Sequence, residues 1–168
     1  MYVTYISPAK YVYDERCTLM TTIQTPQKKL RQGSYCLIID PQAKKIIVED
    51  NGGIPGGGIE SWETAIQACI REVAEETNNQ IIINPDKLHF FKELIFETRR
   101  TPEFDWDGKE MQLFVYCINQ SEFVDFDYFN MEYSQNIKMS WMSFDQFFVI
   151  NKRLQRSELE KFITQLQP

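Results

Sequence analysis

Apolar and polar positions alternate along this chain in two rhythms. Ser34–Asp40 is a strongly apolar, β-branched run, Pro41-Gln42-Ala43 turns it, and Lys45–Glu49 returns as a hairpin partner. Leu88–Phe96 and Met111–Ile118 read as two long antiparallel strands, with Asp107-Gly108 as a turn signal in the connecting loop. Met111, Leu113, Val115 and Cys117 alternate as one buried face. Ile81–Ile83 reads as a short apolar strand, and Lys138–Met142 as a last strand leading into a short helix near Phe144–Val149.

The other rhythm is helical. Ser61 is the predicted N-cap of a helix over Trp62–Thr77, with Ile66, Cys69, Ile70 and Val73 repeating at i, i+3, i+4, i+7 as its core face. Asn78 suits a helix stop in the left-handed conformation. Ser157-Glu158-Leu159-Glu160 reads as a capping box for a terminal helix. Residues 1–30 are weakly patterned: Tyr2, Tyr5, Tyr11 and Tyr13 suit a strand or a core edge, and Thr25-Pro26-Gln27-Lys28-Lys29 a surface turn. Ser121–Asn136 is irregular, aromatic and acidic. The order of elements predicts an α+β domain with a mixed, mainly antiparallel sheet flanked by helices. We expect one domain over residues 1–168, with 1–30 as an N-terminal extension and 151–168 as a C-terminal helix.

Composition narrows the partners. A formal charge of −6 and only small basic clusters (Lys28, Lys29 and Arg31; Arg99 and Arg100) argue against long DNA or RNA. A small phosphate ligand stays compatible if a cation neutralises it. No long apolar run and no leader pattern at Met1–Lys10 is present, so we expect a cytoplasmic location without a membrane span. The four cysteines form no C-x-x-C pair and read as buried free thiols. His89 is the only histidine, and no nucleophile motif accompanies it.

The chemistry concentrates at one place. Glu72, Glu75 and Glu76 crowd the C-terminal end of the predicted helix. Each anion there costs roughly 0.3–1 kcal/mol against the helix dipole. The like-charged pair Glu72/Glu76 at i,i+4 adds about 0.2–0.5 kcal/mol. A sequence that accepts both costs has a cation to put there. Arg71 reaches Glu75 at i,i+4, and the Gly56-Gly57-Gly58 turn lets backbone approach a metal and phosphates. It is no Walker loop, because the G-K-[ST] ending is missing.

Gly57, then Glu63, then Arg71-Glu72-Val73-Ala74-Glu75-Glu76-Thr77-Asn78-Asn79 resembles the Nudix box, G-x5-E-x7-R-E-U-x-E-E-x-G-U, where U is bulky and apolar. Every fixed position matches except the last two, Asn78 for glycine and Asn79 for the apolar residue. Asn tolerates positive φ, and Ile81 can replace the lost anchor two residues on. The preceding hairpin, Ile54-Pro55-Gly56-Gly57 and Ser140-Trp141-Met142-Ser143 agree with the family's order.

The resemblance implies an α/β/α sandwich and hydrolysis of a pyrophosphate bond in a nucleoside diphosphate linked to another group, with a slight preference for a nucleoside triphosphate. It implies Mg²⁺, or alternatively Mn²⁺, held by Glu72, Glu75, Glu76 and the Gly56 carbonyl, with Arg71 orienting the glutamates and Glu63 supporting them. Glu72 and Glu132 are the candidate bases. Gly57, Arg31, Arg99 and Trp106 are candidate substrate contacts; Arg100 and Phe104 are weaker ones. The partner is then a small nucleotide, and the protein a monomer or homodimer. The rival reading is a catalytically silent nucleotide-sensing or partner-binding domain, supported by Asn78-Asn79. An RNA cap hydrolase fits the acidic charge poorly.

Overall fold

A computed structural model describes residues 2–5, 10–13, 19–23, 28–97, 106–118, 128–130 and 136–166. Its strands are β1 (Tyr2–Tyr5), β2 (Lys10–Tyr13), β3 (Leu19–Ile23), β4 (Lys28–Asp40), β5 (Lys45–Glu49), β6 (Gly56–Gly58), β7 (Leu88–Glu97), β8 (Gly108–Cys117), β9 (Tyr128–Asn130) and β10 (Asn136–Ser143). Its helices are α1 (Ala65–Glu76), α2 (Phe144–Ile150) and α3 (Arg156–Leu166).

The main sheet runs β7-β8-β4-β5-β10-β9, and β1 and β6 also pair with β4. Only β4 and β8 run parallel within it; the other pairings are antiparallel. The second half of β4, residues 36–39, is buried on both faces, which is why it is apolar without alternation. Cys36 and Ile38 meet Cys69 and Val73 of α1 on one side. Leu37 and Ile39 meet Phe144, Phe147, Leu159 and Ile163 of α2 and α3 on the other. The result is the expected α/β/α sandwich. Cys36 and Cys69 are buried free thiols, and His89 sits exposed on β7.

Five expectations need correction. The first helix starts at Ala65 because Thr64, not Ser61, caps it: Thr64 Oγ1 accepts from Gln67 N and Gln67 Oε1 accepts from Thr64 N. That start rotates the core face onto Ala68, Cys69 and Val73 and leaves Ile66 exposed. Ile81–Ile83 is not a strand, although Ile81 and Ile83 are buried and Ile82 is 76% exposed. The alternation there anchors a loop in the core, with Ile81 N donating to Thr77 Oγ1. Lys28 and Lys29 belong to β4, held by pairing with β1.

Gly108 opens β8, where Asp107 is bound by Lys29. α3 begins at Arg156, and Glu160 pairs with Arg156 instead of closing a cap.

Candidate active site at the first helix and the glycine turn

The helix places its acids where the glycine turn arrives. The C-terminus of α1 closes with Asn78 and Asn79 both at positive φ, 48° and 59°. Asn78 N donates to Glu75 O and Asn79 N to Ala74 O. Those two bonds form a Schellman ending with Asn where glycine is usual. The departures from the motif therefore keep the loop geometry.

Arg71 is the hub of the site. Its Nε and one terminal nitrogen fork onto Glu63 at 3.0 and 2.7 Å. The other terminal nitrogen donates to Glu72 at 2.9 Å and Glu75 at 3.2 Å, and the first terminal nitrogen also donates to Gly58 O at 3.1 Å. All five N–H groups of the guanidinium are then used. The Glu63 side chain is 1% exposed. Its hydrogen bonds from Arg71 hold its carboxyl below the usual range, against the effect of burial.

Glu76 lies in the opposite environment. It is 5% exposed, and no cation pairs with it among the described residues. Gly56 N donates to its Oε2 at 2.9 Å. Burial pushes its carboxyl up to about 8; the Gly56 bond opposes this, and the charges of Glu49, Glu72 and Glu75 add to it. Glu72 is also raised by burial, with Arg71 opposing. Its carboxyl packs against Gly57, so a Cβ there would overlap it. Gly56 has φ 145°, and a Cβ on it would meet the Ser34 carbonyl and Tyr35.

The structure thus brings Gly56, Gly57, Glu63, Arg71, Glu72, Glu75 and Glu76 together. Glu75 is the most solvent-exposed of the acids, at 59%. Arg31 stacks on Trp106, 5.3 Å from the ring centroid, and borders Gly58. Arg99, Arg100, Phe104 and Glu132 lie outside the described residues.

Two residues of the site went unread in the sequence. Glu49 ends β5 and is raised by burial, with the Asn51 amide opposing. Tyr35 lies over Gly33 and Gly56; burial raises its phenol, as do the charges of Glu72, Glu76 and Glu49, and Arg31 opposes. An acid ending a strand just before a Gly-rich loop was the only available signal for Glu49. Both residues line a cavity of about 660 Å³ that opens beside Gly56.

The donor set is hard oxygen: the buried carboxylate of Glu76 and the partly buried one of Glu72, with Glu49 near. Among the described residues no three acids, histidines or cysteines already converge as a cage. That arrangement fits Mg²⁺, which takes one or two carboxylates and completes its shell with water and phosphate oxygens.

The family model described as the NUDIX domain matches residues 29–166. The chain belongs to that family. No curated protein sequence matches it. Among solved structures it is similar to the Caenorhabditis elegans Ap4A hydrolase, at 18% identity and TM-score 0.52, covering 82% of this chain and 99% of that one. It is similar to a MutT/nudix family protein from Enterococcus faecalis, at 14% identity and TM-score 0.50, over 68% and 44% of the two chains. A bifunctional NMN adenylyltransferase/ADP ribose pyrophosphatase from Francisella tularensis aligns at 20% identity and TM-score 0.46, over 86% and 43%. The chain therefore spans under half the length of these last two proteins. These likenesses concern the Nudix fold; the site's chemistry rests on the residues above. Among the described residues no helix is long and apolar enough to cross a membrane.

Proposed function

We propose that this Nudix domain is a Mg²⁺-dependent pyrophosphohydrolase that cleaves a pyrophosphate bond in a small nucleotide. The observation that carries this reading is Glu76: a buried carboxylate that pairs with no cation among the described residues, held by Gly56, which lines a cavity of ligand size. A divalent ion at Glu72 and Glu76, with the Gly56 carbonyl and Glu75 nearby, would lower the pKa of a bound water and offset charge on phosphoryl oxygens. Mn²⁺ suits the same oxygens.

The chain's own groups do the rest. Arg71 fixes the Glu72 carboxylate at 2.9 Å, and Glu63 in turn fixes Arg71. Glu72 is the candidate base within the described residues, positioned beside Gly57 where a phosphate can approach backbone. Apolar side chains Ile54, Leu94, Met111 and Leu113 line one part of the cavity. Phe96 offers a ring at its far side, with Arg153 stacked 4.3 Å from the centroid. A nucleobase fits such a wall.

Phosphate release over a nucleotide panel, with inorganic pyrophosphatase added, tests the reading. Turnover that needs Mg²⁺ and stops in EDTA is the expected result. Absence of turnover for every nucleotide would leave a sensor domain instead.

A further inference from the structure

Sheet register gathers cations that are far apart in sequence. In the parallel β4–β8 pair Arg31 lies opposite Lys109, Gly33 opposite Met111, and Tyr35 opposite Leu113. In the antiparallel β7–β8 pair Lys109 lies opposite Phe96. Arg31, Lys109 and Phe96 therefore form one row across three strands, with neighbours about 5 Å apart.

A small cavity of about 110 Å³ lies between Arg31 and Lys109. Gln32, Gly33, Tyr35, Gly57, Gly58 and Met111 complete its walls. Lys109, Tyr35 and Met111 also line the larger cavity, so the two are parts of one cleft. Gly57 is the residue against which the Glu72 carboxyl packs. The small pocket thus adjoins the proposed reaction centre without containing any of its carboxylates.

Among the described residues neither Arg31 nor Lys109 forms an ion pair, while Arg71, Lys92 and Arg156 all do. Arg31 is instead steadied by the Trp106 ring and by Gly58, where a Cβ would come within 2.9 Å of its guanidinium. Two like charges facing one polar pocket repel, and a bound anion turns that repulsion into attraction. A guanidinium and an ammonium beside glycine backbone suit phosphate oxygens.

We infer that the pocket between Arg31 and Lys109 holds a phosphate outside the scissile bond, so that nucleoside triphosphates are taken in preference to nucleoside diphosphates linked to an uncharged group. This rests on the hydrolase reading above and narrows its substrate. An uncharged sugar in that pocket leaves both cations unpaired; a third phosphate meets them.

Two measurements test it separately from catalysis. In EDTA, calorimetric titration with the mono-, di- and triphosphate of one nucleoside reads the pocket without turnover. Affinity is expected to rise at least about tenfold from monophosphate to triphosphate, the size of a charge-assisted contact. Lys109→Ala and Arg31→Gln should each weaken triphosphate binding by about 10–100-fold and monophosphate binding much less. Lys109→Arg, which keeps the charge, should retain the rise. Affinity independent of phosphate number, or equal weakening of mono- and triphosphate, overturns the inference.

In Mg²⁺, kcat/KM for a nucleoside triphosphate against a nucleoside diphosphate sugar gives the second measurement. The ratio should favour the triphosphate and fall at least about tenfold in Lys109→Ala. If the binding pattern holds but no nucleotide is cleaved, the phosphate pocket stands and the hydrolase reading falls. If diphosphate sugars are cleaved better and Lys109→Ala leaves the ratio unmoved, the hydrolase reading stands and the pocket falls. Melting temperatures of each variant verify that it is folded.

Discussion

Replacing Glu76 with Gln tests the strain placed at the end of α1. The amide keeps an oxygen for Gly56 N, which now donates to Glu76 Oε2 at 2.9 Å. It removes the charge that burial and the Glu49, Glu72 and Glu75 carboxylates disfavour. With a folded pKa of about 8 against an ordinary 4.5, protonated Glu76 is the form the metal-free fold prefers. Its contribution to stability is complete below pH 4.5 and is lost as pH rises through about 8. Worked through, wild-type stability loses under about 1 kcal/mol from this group at pH 5 and about 3 kcal/mol at pH 7.

Glu76→Gln has no such loss. For a domain of this size 1 kcal/mol is about 2–4 °C of Tm. The Tm gap between variant and wild type should therefore widen by about 5–10 °C between pH 5 and pH 7 in EDTA. Glu49 and Glu72 titrate in both proteins, so most of their effect cancels in that difference. Thermal melts followed by circular dichroism at the two pH values measure it. Saturating Mg²⁺ should raise the wild-type Tm at pH 7 and close the gap, because the ion neutralises the charge that the fold alone does not. Hydrolysis by the variant should fall at least about 100-fold, near 2.7 kcal/mol of barrier. A pH-independent gap, or a variant less stable than wild type at pH 7, would refute the buried-carboxylate argument. Wild-type turnover in the variant would refute the role given to Glu76.

Two further substitutions separate support from chemistry. Arg71→Lys should lower Tm by about 5–15 °C, because leaving the buried Glu63 carboxylate without its fork costs up to about 3–5 kcal/mol and lysine recovers only part of it; the loss should persist in Mg²⁺, and a small Tm change would show that the fork onto Glu63 is dispensable. Gly57→Ala should cut kcat at least about tenfold with Tm within about 3 °C of wild type, since the atoms nearest the added Cβ are those of the Glu72 carboxyl, the far end of a flexible side chain; unchanged kcat would detach Glu72 from the reaction.

What could be read from the chain was local. The spacing from Gly57 to Glu76 fits within one turn and one helix, so periodicity alone places those carboxylates on one flank. The helix start was harder, because Ser61 and Thr64 are both good caps. Gln67, three residues after Thr64, decides it by closing the box. Ile81–Ile83 misled for a related reason: alternation reports burial on one side, and a strand needs a partner that the local pattern does not name. The cleft beyond the helix was least legible. Lys109 meets Arg31 through a parallel register between strands 78 residues apart, the same separation as the Gln32–Glu110 bond on the opposite face. No window of sequence contains that pairing. Tyr35 looked like one more apolar strand position until Gly33 and Gly56 left its ring room to lie at the cleft.

The acids of the site divide into two kinds, and Arg71 draws the line between them. Glu63 receives the guanidinium fork, and its carboxyl is held below the usual range although its side chain is 1% exposed. Glu76 is comparably buried and receives one backbone N–H, and its carboxyl rises to about 8. At Glu63 the guanidinium fork outweighs burial, and at Glu76 burial outweighs a single backbone N–H. Glu72 stands between them, one oxygen on Arg71 and the carboxyl against Gly57. One cation thus holds the helix end together, and among the described residues none pairs with Glu76 or Glu49. Had Arg71 been within reach of Glu76, the charge there would be satisfied and a divalent ion would gain little by binding. The spacing that sends Arg71 toward Glu63, Glu72 and Glu75, and away from Glu76, is what leaves Glu76 without a cationic partner among the described residues.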